Sequence, residues 1–541
     1  MAEGWGPVDR RDFLRLGALG AAGAAGLWLP TGCAPPPRYQ PPSNGTPFSC
    51  GVLSGLHSPT EVVLWTRLDP ELAPGATSVA WELATDAGLS NVVASGTHEV
   101  GPAADFTAKV LVGGLDPDRS YWYRFSVANG PSPIGRARTL PTPEATTPLR
   151  VAFSSCQKWT SGWYTAWGGI ANEDVDAVLW LGDYIYESGA SPTPGDVRLD
   201  TVGTANDLDS YRAKYRLHRS DPLLQAGHAA HPFVPIWDDH EFKNNYNRTD
   251  LLTDAARAAA AYRVWFEYMP VMPIDGTRIH RNLRWGTTAD ITLLDTRQYR
   301  DRQANGFLPD DQEAGLGIGQ VVAEAVQPGR TILGESQRQW LLDGLDDAQA
   351  DGVVWKLIAN QVMIAPWRIL DLDEPLLNQL NPTAPRHDGI YLNMDSWDSY
   401  MWERDVVLGH LADNDISNVS FLTGDVHMFF QSSLRANFDD DTSPFVANEF
   451  VGGAVSSQAI QILRNDDVSL ALENIWRGFN PGFRYCDFRR NGYAVVDATH
   501  DAMSVTYRAV RVFEPNQPVA STVRFTLTPG NPTPVTEGLI P

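Results

Sequence analysis

Residues 177–187 read AVLWLGDYIYE. Five apolar residues, Ala177–Leu181, are followed by Gly182, then by Asp183, Tyr186 and Glu187. A short continuous apolar run closed by a glycine reads as a buried strand that ends in a turn. The same grammar recurs three times. Leu149–Phe153 leads into Ser154-Ser155-Cys156-Gln157. Phe233–Trp237 leads into Asp238-Asp239-His240-Glu241. Val419–Leu422 leads into Thr423-Gly424-Asp425-Val426-His427. Ligands of open α/β sheets bind just beyond the carboxyl ends of the strands. One such ending is explicable as a turn, a solvated charge cluster, a buried thiol or a cross-strand pair. Four of them on one edge make a site.

Around these motifs, apolar runs alternate with helical patterns. Further strands are expected at Ile291–Leu294 and Val353–Ala359, and helices at Asp254–Tyr268, Glu335–Ala348 and Trp397–Ala412. The 541 residues exceed one ordinary core. Residues 48–140 read as a small all-β sandwich, with short strands at Val62–Arg67, Val79–Thr85, Asn91–Thr97, Thr107–Val112 and Tyr121–Ala128. Leu115-Asp116-Pro117 before Tyr121 has the look of a corner tied by a tyrosine. Residues 140–149 form a linker, 149–515 the α/β domain, and 516–541 a C-terminal segment.

The first 33 residues read as an export signal. Arg10-Arg11-Asp12-Phe13-Leu14-Arg15 precedes a weakly apolar run too short for a membrane span, and the twin arginines resemble the signal of the Tat route. Thr31-Gly32-Cys33 resembles a lipoprotein cleavage site except at Pro30, so a lipid anchor at Cys33 and an unanchored chain both stand. Residues 34–47 are a Pro-rich tether. The Tat export machinery is therefore an expected partner.

A net charge of −23 and a pI of about 4.8 argue against nucleic-acid binding. Four cysteines make no disulfide framework, though a Cys50–Cys486 bridge is open. Carboxylates, an imidazole, a phenol and a thiol together suit a Lewis-acidic transition metal, with a hard cation beside it. A shared Asp183 would hold two ions about 3.5–4 Å apart, the spacing that clamps a transferring phosphoryl group.

These motifs resemble those of the PhoD-type alkaline phosphatases and phosphodiesterases, distant relatives of the calcineurin-like metallophosphoesterases. The resemblance runs from FSCGVLSGLHSPTEVVLWTRL (48–68) through SSCQ, LGDYIYE, WDDHEFKNN and LLDTRQYR. It continues through GESQRQWL (334–341), DSWDSY (395–400), LTGDVH and EFVGGAVSS (449–457). It implies a β-sandwich core flanked by helices, and a ferric ion with one or two calcium ions. Cys156, Asp183, Tyr186 and His427 would bind iron. Asp183 would bridge to an ion also held by Asp239 and Asp425. His240 would be the acid-base residue. Arg297 and Arg300 either steady phosphate oxygens or form a structural ion pair.

The chain departs from the family at Gly55-Leu56-His57 and at Phe429-Phe430, where a tryptophan is usual; the second departure bears on the pocket wall. The implied reaction is hydrolysis of a phosphate ester by a metal-activated hydroxide. The substrate would be a small molecule, or a lipid or cell-wall polymer diester in a phospholipase-D-like reading. A non-catalytic envelope binding protein is the reading from another class.

Overall fold

The computed structural model describes residues 46–538, apart from 190–194, 305–318, 321–323, 372–388, 392, 441 and 481. The expected export signal, Cys33 and all of the tether but residues 46–47 lie outside the described residues.

Strands Val52–Ser58, Glu61–Arg67 and Thr107–Val112 make one antiparallel sheet of the N-terminal unit. Val92–Glu99, Ser78–Ala84, Ser120–Val127 and Gly135–Arg138 belong to a second. In Ser120–Val127 every second side chain points inward, so Tyr121, Tyr123 and Phe125 join Val52, Val62, Leu64 and Leu83 in the core between the sheets. Tyr121 Oη accepts the Asp116 N–H at 2.9 Å, which ties the expected corner. The sandwich docks on the larger domain through Trp65 Nε1, which donates to the Glu267 carbonyl at 2.7 Å.

Two seven-stranded sheets form the larger domain. The first runs Phe233–Ile236, Ala177–Leu181, Leu149–Ser154, Asn491–Ala498, Met503–Val510, Ala520–Thr528 and Asn531–Glu537. Its first three strands are parallel and the remainder is an antiparallel meander. The second runs Arg281–Trp285, Ala289–Leu293, Trp355–Asn360, Val419–Thr423, Phe445–Gly452, Phe429–Arg435 and Phe483–Asp487. Here Ala289–Leu293 through Phe445–Gly452 are parallel.

Both faces of the parallel strands are covered, which is why Ala177–Leu181 is apolar throughout. On the inner side, Phe450 meets Phe525 with ring centroids 5.9 Å apart, and Phe429 meets Tyr507 at 5.0 Å. On the outer side of the first sheet, Trp167 of helix Thr165–Ala171 stacks on Trp180 at 5.4 Å. Helices Glu335–Ala350 and Met401–Asp413 cover the second sheet with Leu341, Leu345, Val407 and Leu411. The result is a mixed α/β β-sandwich flanked by helices.

Several expectations are corrected. The segment 516–541 is no appendage: its strands complete the first sheet. The expected helix 397–412 is a 3-10 turn, Trp397–Ser399, then a helix from Met401, with a non-helical Tyr400 between them. Cys50 and Cys486 are free, buried and in separate hydrophobic clusters, so no bridge joins them. Phe429 and Phe430 are fully buried on opposite faces of their sheet, Phe429 against Tyr507 inside the sandwich and Phe430 against Trp367, Phe483 and Phe488, and neither lines an open pocket.

Candidate metal centre

Three parallel neighbours in the first sheet end side by side, and this aligns SSCQ, GDYIYE and WDDHE. The second sheet brings GDVH to the same edge. The loops are knitted by main-chain bonds: Cys156 N–H donates to the Gly182 carbonyl and Gln157 N–H to that of Asp183, both at 3.1 Å. Glu241 is a buried clamp. Its carboxylate accepts the N–H groups of Asp183 and Asp238 at 3.0 Å and of Tyr184 at 2.7 Å.

Two glycines let the loops approach. At Gly182, with φ +105°, an added Cβ would lie 2.3 Å from Asp238 Cβ, and at Gly424 one would lie 2.7 Å from Ser155 Oγ. The ligand-type residues themselves carry strain. Cys156, Asp183, Asp425 and His427 have φ of 55°, 57°, 65° and 62°, a left-handed conformation costing each residue about 1 kcal/mol or more.

Cys156 Sγ, an Asp183 oxygen and a His427 ring nitrogen lie within 4.8 Å of one another. Tyr186 Oη stands beside them, donating to Asp183 Oδ2 at 2.8 Å and lying 3.2 Å from His427 Nε2. His427 Nδ1 faces the Gln458 carbonyl at 3.3 Å, and since a carbonyl only accepts, Nε2 keeps its lone pair for the cluster. Asp183, Asp239 and His240 form a second group within 4.8 Å. Asp183 is common to both. Asp425 falls outside both groups; its Oδ1 lies 3.6 Å from Arg297 Nη2, and its carbonyl 3.8 Å from Cys156 Sγ. His240 Nδ1 donates to Glu187 Oε2 at 2.7 Å, which leaves Nε2 as the nitrogen not engaged by Glu187.

Arg297 and Arg300 are fully buried. Arg297 is bound to Asp238 and, at 2.6 Å, to Asp395; Arg300 reaches Asp395 Oδ1 at 2.7 Å. This arrangement is the ion-pair alternative. Both guanidiniums brace carboxylates from behind the site. Sequence reasoning gave no role to Asp395, Asn245, Glu187 or Glu241. Asn245 N–H donates to Asp239 Oδ2 at 2.6 Å, and its side-chain amide, oriented to satisfy both, reaches Asp239 and Asp395 at 3.2 Å. The backbone of Asn245 is left-handed too, but only glycine advertises that conformation in a sequence.

The electrostatics are lopsided. Asp183, Glu187, Asp238, Asp239, Glu241, Asp395 and Asp425 crowd the edge against Arg297, Arg300 and His240. Burial, then neighbouring carboxylates, push Asp183 and Asp425 well above the usual carboxylate range. Burial raises Asp238 to about 6 and Glu241 to about 7. Burial, with Asp183 and Asp425, raises the Cys156 thiol well above its ordinary value. His427 is pushed down to about 4 by burial and is a neutral imidazole. Burial would lower His240 as well, yet Glu187, Asp239 and Asp183 hold it well above the usual range. Such a donor set fits cations: only added positive charge lets these carboxylates and the thiol ionise together.

Residues 151–507 match the family model of the PhoD-like phosphatases, and residues 32–141 that of the PhoD-like phosphatase N-terminal domain. Alkaline phosphatase D of Bacillus subtilis (strain 168) is 33% identical, covering 96% of this chain and 87% of the relative. A solved structure of PhoD superposes with a TM-score of 0.80 at 32% identity, covering 93% of this chain and 94% of the other. A purple acid phosphatase from yellow lupin, 10% identical with a TM-score of 0.52 over 88% of this chain and 74% of its own, shares the fold. The chain belongs to the PhoD-like phosphatase family, and with it to the enzymes that hydrolyse phosphoric esters.

Proposed function

We propose that the protein is an exported, metal-dependent phosphatase or phosphodiesterase. Ferric ion would be held by Cys156, Asp183, Tyr186 and His427, and calcium by Asp183, Asp239 and Asp425. The observation that carries this reading is the pair of ligand groups sharing Asp183. Thiol, phenol and imidazole suit the transition ion, and the carboxylates of Asp183 and Asp239, joined by Asp425, suit the hard one. The excess of buried carboxylates asks for several positive charges. Bound ions would supply Lewis-acid charge to the phosphoryl oxygens and acidify a water molecule.

The chain's own work is positioning and proton transfer. Asp183 holds the two sets of ligands in register. Arg297 and Arg300 hold Asp238 and Asp395 in place from behind. Glu187 fixes the His240 tautomer, so Nε2 is the nitrogen that meets the leaving oxygen and gives it a proton, a role worth roughly 10²–10⁴-fold. The substrate would be a phosphate-ester small molecule or a lipid or polymer diester. Export would follow the twin-arginine route, with Cys33 as the point of any lipid anchor. Among the described residues no helix is long and apolar enough to cross a membrane.

The test is elemental analysis of the purified protein, together with hydrolysis of p-nitrophenyl phosphate and bis(p-nitrophenyl) phosphate before and after chelation. Iron and calcium should co-purify, and chelation should abolish turnover until both are restored. Full turnover by a metal-free preparation would sink the assignment.

A further inference from the structure

The braced arginines leave a question: which side chain of this chain meets the substrate's own negative charge? Arg297 and Arg300 are sealed in and bound to carboxylates. Lys243 pairs with Asp250 at 2.8 Å, Arg248 with Asp301, and Lys214 with Asp200. His240 is held by Glu187.

Lys158 is different. It follows the SSCQ motif directly and is half-buried, beside the fully buried Cys156–Gln157. Its main chain is pinned at both ends, N–H donating to Ser457 Oγ at 3.0 Å and carbonyl accepting from Ser456 Oγ at 2.9 Å. Ser457 Oγ in turn donates to Tyr186 Oη at 2.7 Å, so Lys158 is anchored to the ligand cluster itself. Its ammonium lies 5.8 Å from the centre of the Tyr186 ring. Among the described residues its Nζ has no carboxylate within ion-pair distance and no hydrogen-bond partner.

An ammonium held at a cluster of metal-ligand side chains, half-open to solvent and without a counter-ion, is arranged for an anion that arrives from outside. Lysine binds phosphate as a compact point charge with three donors and needs no planar fork. We propose that Lys158 contacts the substrate, its Nζ donating to a non-bridging oxygen of the phosphoryl group at the Cys156/Asp183/Tyr186/His427 cluster. It takes the role that the sequence alone offered to Arg297. The proposal rests on the phosphoesterase reading above.

A point charge favours a dianion over a monoanion, so Lys158 should also set preference between esters. The test uses metal-loaded full-length enzyme and its Lys158→Met and Lys158→Arg variants. The readouts are kcat/KM for p-nitrophenyl phosphate, a dianionic monoester, and bis(p-nitrophenyl) phosphate, a monoanionic diester. Competitive inhibition by inorganic phosphate and metal content complete the set. Lys158→Met is expected to weaken phosphate inhibition by about tenfold or more and to lower the monoester-to-diester ratio by a similar factor, with iron and calcium retained. Lys158→Arg should restore most of both. An unchanged inhibition constant and ratio overturn the proposal. So does a loss that tracks metal content and is equal for both esters, which is the mark of a structural role. Wild-type enzyme that cleaves neither ester speaks against the phosphoesterase reading instead, and phosphate affinity of wild type against Lys158→Met, measured by calorimetry, then still decides the role of Lys158.

Discussion

Tyr186 Oη donates a hydrogen bond to Asp183 Oδ2 at 2.8 Å, so the phenol and the carboxylate common to both ligand groups are held as one unit. Burial, then the charges of Asp183 and Cys156, keeps that phenol protonated in the metal-free chain. The proposed ferric ion would invert this by stabilising the phenolate. The loaded protein should absorb visible light, and Tyr186→Phe should lose the band while the far-ultraviolet dichroism is unchanged. An identical visible spectrum in the variant would remove Tyr186 from the ligand set.

Asp183→Asn should have opposite effects on the two forms of the protein. In the metal-free chain Asp183 is surrounded by Asp238, Asp239 and Glu241, and burial disfavours its charge. The neutral amide relieves both, so the metal-free variant should melt at a higher temperature than metal-free wild type. In the presence of metals the order should reverse, because the shared ligand is gone. Turnover should fall by about 10³-fold or more, as the loss of several kcal/mol of charge stabilisation requires. Calorimetry with and without metals, paired with a phosphatase assay, checks both signs. A variant with normal metal content and full activity refutes the shared-ligand role.

Gly182→Ala should disable the site through its neighbour. The new methyl would fall 2.3 Å from Asp238 Cβ, at a backbone φ of +105° that alanine resists. Asp238 is bound to Arg297, so its displacement propagates to the brace behind the metal ligands. A cost of about 2–4 kcal/mol is expected, measured by denaturant unfolding, with reduced iron binding. A variant as stable as wild type would show that Asp238 has room to move.

The parts of this site that the sequence revealed are local. Each strand-end motif carries its own apolar run, its glycine and its polar tail, and these survive reading one segment at a time. Asp395 could not be found that way. Its importance comes from accepting Arg297, Arg300 and Gln303 across the fold, and DSWDSY contains a second aspartate, Asp398, that competes for any such role. Arg297 was legible as a residue but not as a role. Ion pair and phosphate clamp look alike until burial separates them. The closing strands of the first sheet, Ala520–Thr528 and Asn531–Glu537, were missed for a different reason. Both have mixed exposure, and Thr and, in the second, Pro weaken their strand signal; pairing of Ala520–Thr528 with Met503–Val510, and of Asn531–Glu537 at the edge with Ala520–Thr528, gives them a place.

Lys109 makes the docking of the two domains sensitive to pH. Its Nζ donates to the Phe266 carbonyl and, at 3.0 Å, to that of Val271, across the interface. Burial lowers its pKa to about 7, against a partial offset from Glu267. Unfolded lysine keeps its proton to about 10.4. Between those values the unfolded state binds more protons, so stability rises with pH across that window. The cost is fully present below about pH 7, and a few kcal/mol at most should be recovered by pH 10. Urea titrations at intervals of pH should show the slope, and Lys109→Met should flatten it. A wild-type curve no steeper than that of the variant refutes the assignment.

Arg297→Lys separates bracing from substrate contact. The guanidinium spans Asp238 and Asp395, and its Nη2 lies 3.6 Å from Asp425 and 3.9 Å from Asp239. An ammonium keeps the charge but cannot hold two carboxylates in a fixed fork. If the residue braces ligands, the variant should bind metal more weakly and lose turnover at limiting metal. At saturating metal its inhibition by inorganic phosphate should match wild type. If the residue instead holds the phosphoryl group, the pattern inverts, with metal content intact and phosphate inhibition weakened. Burial and the bonds to Asp238 and Asp395 favour the first outcome; only Nη2, which has no hydrogen-bond partner among the described residues, points toward Asp425 and Asp239. Lys158→Met, whose cation stands at the open side of the same cluster, should give the opposite signature in the same assay.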